Sequence, residues 1–147
     1  MLKVLFLILI VGLLTFWQTS GFSILDIKPN LALVAIIAAS FFIDNLWQGI
    51  FLVVLSALIL KFVPGFEKEI LIFSLIGVGA VLIKNRLPWR QFLANIFLVS
   101  LGTLIFYLFL APRLIISVIF WEELVLNLIF GALIFALMSF LWHTKKI

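Results

Sequence analysis

The stretch Asn30–Phe62, NLALVAIIAASFFIDNLWQGIFLVVLSALILKF, decides the fold. Read as one helix rising 1.5 Å per residue it would extend roughly 50 Å, against a bilayer core of about 30 Å. It therefore breaks in two. The break falls at Asp44-Asn45-Leu46-Trp47-Gln48-Gly49, where Asp, Asn, Gln and Gly are turn-forming types around a tryptophan suited to the membrane interface. Two short helices, over about 30–43 and 47–63, joined by a tight hairpin, are predicted.

The same punctuation continues outward in both directions. Pro29, Pro64, Pro88 and Pro112 all lie in or beside polar connections, where a residue that breaks helices is tolerated. Between them further apolar runs predict spans at about 4–20, 69–84, 91–111 and 123–142. The first run, with Lys3 before it, also fits the basic and apolar regions of a signal peptide. No small-x-small cleavage pattern follows, and Phe16 and Trp17 suit an interfacial belt, so it is read as a span. Residues 114–123 are placed at the interface, because Glu122 and Glu123 are costly in mid-bilayer.

Composition sets the solvent. Of 147 residues 67% are hydrophobic and 11% charged, and the mean hydropathy is +1.43. About half apolar and a quarter charged is usual for soluble domains, so too few polar side chains are present to coat a water-exposed surface. Aromatic residues reach 16% without the alternation a transmembrane barrel requires. The fold class is all-α: a single polytopic integral membrane bundle of about six short transmembrane helices.

Six spans put both termini on one side, with Lys3, Lys84, Arg86, Arg90, Lys145 and Lys146; the other side holds Lys28, Lys61, Lys68 and Arg113. The positive-inside bias makes this N-in and C-in. The net charge of +4 is therefore read as a topology signal, and nucleic-acid binding is not expected.

Chemistry-bearing residues are few: no cysteine, one histidine, two Asp and four Glu. Glu122 and Glu123 are the only adjacent acids, and on a helix neighbours point about 100° apart, so they are read as a helix-start anchor suited to the dipole. His143 lacks companion ligands for a metal. Asp44 and Lys61 sit at helix ends, where a lysine stem can reach the headgroups. Ser40, Ser56, Ser74, Asn95, Ser100, Thr103, Asn127 and Ser139 are read as bonding backbone or neighbouring helices rather than lining a pocket. Ala35 with Ala39, Ala132 with Ala136, Gly77, Gly79 and Gly102 mark expected helix contacts. The loop carrying Lys84, Arg86, Trp89 and Arg90 suits anionic headgroups or a cytoplasmic partner. No catalytic residues, cofactor or metal are expected, and a small-molecule ligand is not favoured.

One pattern resembles a known family. Pro29, Asn30, Leu31, Leu33 and Val34 in KPNLALV, Gly49 at the head of the next run, and Gly77 or Gly79 before a basic loop resemble the bacterial rod-shape-determining protein MreD. Asn30 stands where that family commonly has Asp, and Lys61 lies near where many members carry Asp. The resemblance implies a non-catalytic scaffold of the cell-elongation complex, held in the bacterial inner (cytoplasmic) membrane. It would pair with MreC and support the actin-like MreB and peptidoglycan synthesis. The family's fold is similar to the substrate-binding S component of energy-coupling-factor vitamin transporters, so such a subunit is the alternative. Lipoprotein signal peptidases, CDP-alcohol phosphotransferases and small multidrug transporters each require membrane carboxylates or motifs that are not found here.

Overall fold

The computed structural model describes residues 1–65 and 67–142. Six α-helices follow one another: α1 (Leu2–Thr19), α2 (Leu31–Ser40), α3 (Leu46–Leu60), α4 (Glu67–Ile83), α5 (Gln91–Leu110) and α6 (Val118–Trp142). Short 3-10 turns at Lys84–Arg86 and Pro112–Ile116 precede α5 and α6. Among the described residues there is no strand, only an isolated bridge between Ile24 and Ile27. That bridge closes a turn whose Leu25 and Asp26 both take positive φ, 52° and 66°. Leu25 projects into solvent, 90% exposed.

α2 is the axis. All ten of its residues are buried, and it packs against every one of the other five helices. LALVAIIAAS has no polar face to turn outward, which suits a helix enclosed on all sides. Three of its neighbours meet it with a glycine. A Cβ at Gly77 of α4 would lie 3.2 Å from Ile36 Cγ2, at Gly102 of α5 3.2 Å from Ile37 Cδ1, and at Gly131 of α6 3.6 Å from Val34 Cγ1. The aliphatic side chains of α2 thus fill spaces that other residue types would occupy, and the backbones come close enough for extensive dispersion contact. Gly49 plays the same part between α3 and α4: a Cβ there would stand 2.7 Å from Val81 Cγ1.

Three helices, α1, α5 and α6, are long and apolar enough to cross a membrane. α2 is not: ten residues rise only about 15 Å. The helix bounds differ from expectation most at α6, which begins at Val118 rather than near residue 123. Glu122 and Glu123 consequently lie inside the helix, and only the turn at Pro112–Ile116 separates α5 from the short link to α6. α2 is shorter than the expected 30–43, because Phe41 and Phe42 leave the helix through turn bonds to Ala38 and Ala39. The contact faces are also corrected in one place: Ala136 is exposed and Gly131, not the Ala132/Ala136 pair, meets the core. Gly79 likewise faces open space.

Candidate functional site

A helix enclosed on every side has its end groups enclosed as well, and its first N–H and last C=O groups need partners from elsewhere. At the start of α2, Asn30 caps the helix by accepting from Leu33 N (3.2 Å). Its own backbone N donates to Asn127 Oδ1 of α6 (2.9 Å), and Ala32 N donates to Gln18 Oε1 of α1 (2.7 Å). Asn127 Nδ2 donates in turn to Thr103 Oγ1 of α5 (3.1 Å), which donates to Val99 O (2.8 Å). Beside this network the Tyr107 hydroxyl of α5 donates to the Glu123 carboxylate of α6, which also bonds Asn127.

The network backs a cavity of ≈ 450 Å³. Its walls are helix ends: Gln18 and Thr19 closing α1, Asn30 opening α2, Leu60 closing α3, Glu69 opening α4, and Tyr107 and Leu110 closing α5. Lys28, Glu69, Glu123, Tyr107, Gln18 and Asn30 give it polar groups; Leu60, Phe106, Leu110 and Leu114 give it apolar ones. A second cavity of ≈ 460 Å³ shares Lys28 and Glu123 with it and adds Asp26 and Glu122.

The opposite end of α2 is closed differently. Lys84 Nζ donates to the backbone carbonyls of Ser40 and Ile43. Burial lowers the pKa of this ammonium; nearby Asp44 acts the other way and Lys3 adds to the lowering. Lys3 pairs with Asp44 at 3.2 Å, on a carboxylate 87% exposed.

The residues singled out from the sequence do not converge on one place. Pro29, Asn30 and Leu31 are buried at the head of α2, and Gly49 is buried against Val81. The basic loop divides: Lys84 turns inward onto α2, whereas Arg86 and Arg90 are exposed, and Trp89 stands edge-on to Phe97 with ring centroids 5.0 Å apart. Asp44 sits at one end of α2 and Asn127 at the other, while Asn95 donates to Gly131 O (3.1 Å) in the wall between α5 and α6. Ser40, Ser74, Ser100 and Thr103 bond backbone carbonyls three or four residues earlier in the chain. Glu122 and Lys61 are exposed. His143, Lys145 and Lys146 lie outside the described residues.

Gln18 and Tyr107 are cavity residues that sequence reasoning passed over, and Glu123, read as a helix-start anchor, turns out to line the cavity. Tyr107 carried a signal: it is the only tyrosine among seventeen phenylalanines, so its hydroxyl sits where an apolar ring would serve packing equally well. Among the described residues no group of three His, Cys, Asp or Glu is placed to hold a metal ion. No family model matches the chain, and neither a curated protein nor a solved structure matches it.

Proposed function

We propose that this chain is an MreD-like scaffold of the bacterial cell-elongation complex, non-catalytic and held in the inner membrane by six short spans, N-in and C-in. The observation that carries the reading is the place of KPNLALV. The segment that resembles MreD opens the helix around which the bundle is built, with Asn30 as its cap and Leu31 through Val34 wholly buried. Large apolar side chains on α1, α5 and α6 are exposed along their lengths, among them Leu9, Phe109 and Phe140. Such faces suit lipid and the membrane segment of an MreC-like partner.

The test is a pull-down of the tagged full chain from its host in gentle detergent, with co-purifying membrane proteins identified by mass spectrometry. MreC-like and MreB-like partners are expected.

A second reading is favoured by one observation, the ≈ 450 Å³ cavity with polar groups from four helices and from the segment that leads into α2. A substrate-binding S component requires such a concave site with a few placed polar groups. In the same pull-down, recovery of a transmembrane coupling subunit with its ATPases supports that reading and overturns the scaffold.

A further inference from the structure

We infer that the cavity at the head of α2 binds the zwitterionic headgroup of an aminophospholipid, an ammonium and a phosphate carried on one molecule. Its wall places one cation, Lys28, with two carboxylates, Glu69 and Glu123. The backbone N–H groups at the head of α2 are already taken by Asn127, Gln18 and Asn30, so they are not the attraction. A ligand with negative charge alone meets a wall with an excess of carboxylate, and one with positive charge alone leaves Lys28 without a counter-charge. A zwitterion answers both.

The carboxylates also select the kind of cation. A primary ammonium offers three N–H donors to Glu69 and Glu123, whereas a quaternary ammonium offers none and is better served by an aromatic cage. Leu60, Phe106, Leu110 and Leu114 give the wall an apolar part, from the ends of α3 and α5 and the turn before α6, against which acyl carbon can lie. The volume of ≈ 450 Å³ falls within the range of about 300–1,000 Å³ usual for small-molecule sites. Helix ends line the site, which is where headgroups lie when the helices cross a bilayer. Lipid retention by this wall does not depend on which complex the chain joins, so the pull-down and the lipid test fail separately.

The experiment is native mass spectrometry of the purified full chain with dioleoyl phosphatidylethanolamine, phosphatidylcholine and phosphatidylglycerol at equal concentration. Phosphatidylethanolamine is expected to be retained about tenfold over either competitor, the size of one charge-assisted hydrogen-bonded contact. Lys28→Gln and Glu69→Gln, at an exposed and a half-buried position outside the packed core, are expected to abolish that preference. Glu122→Gln, exposed and outside this cavity, is expected to keep it. Equal retention of the three lipids overturns the inference, as does a preference that survives both wall substitutions. Free phosphoethanolamine displacing the lipid at equal concentration also overturns it, by making a soluble zwitterion the ligand.

Discussion

The two ends of α2 are closed by opposite kinds of side chain. At its start, donors need acceptors, and two neutral amides on distant helices supply them: Gln18 of α1 and Asn127 of α6. At its finish, acceptors need donors, and a single ammonium, Lys84, reaches two carbonyls. The charge is at the end where it is favoured, because a helix C-terminus carries partial negative charge. The difference teaches where each end can tolerate openness. The start borders a cavity and is held by several neutral side-chain partners, whereas the finish is held by its own turn bonds and by one charged side chain.

The contrast can be broken most forcefully by removing both closures. Lys84→Met with Asn127→Leu is expected to cost about 4 kcal/mol, the sum of the two single effects, since groups more than about 10 Å apart without shared partners add. Unfolding of the purified protein by sodium dodecyl sulfate, followed by tryptophan fluorescence, measures it, and a clear departure from the sum would show that the ends act as one unit. Lys84→Met alone is expected to remove about 2–3 kcal/mol in the same titration, because two hydrogen bonds to a charged donor are lost and Ser40 O keeps only its bond from Ile43 N. Lys84→Arg should recover part of it.

Asn127→Leu is expected to cost less, about 1–2 kcal/mol, as interhelical hydrogen bonds in membrane proteins are modest. Gln18→Leu, at the cavity wall where water can replace the amide, should shift the midpoint by about 1 kcal/mol or less. The smallest change is expected of Lys3→Met. Its partner Asp44 is 87% exposed, and exposed ion pairs contribute about 0.5 kcal/mol or less. A larger loss for Lys3→Met than for Lys84→Met would reverse the assignment of which cation closes the helix.

How much of this was legible in the sequence depended on the kind of information needed. The six apolar runs and their connections could be read because Pro29, Pro64, Pro88 and Pro112 interrupt them locally, and all four lie outside the α-helices. The centrality of α2 could not, since a helix apolar on all sides looks the same whether protein or lipid surrounds it. Lys84 was read with its loop because a long flexible stem gives no sign of its direction from spacing alone. Glu123 was read as an exposed anchor because its compensation lies on another helix, in Tyr107 sixteen residues earlier. Gly131 was missed beside the more regular Ala132/Ala136 spacing, although only the glycine meets the core.

The bond from Asn30 to Asn127 spans 97 residues of chain, which sets an order on assembly during synthesis. As the chain emerges from its N-terminal end, the finish of α2 can be closed once Lys84 has been made, while its start waits for α6. Until α6 arrives, the axis of the bundle has an exposed donor at one end, a feature by which a chain without α6 differs from one that has it.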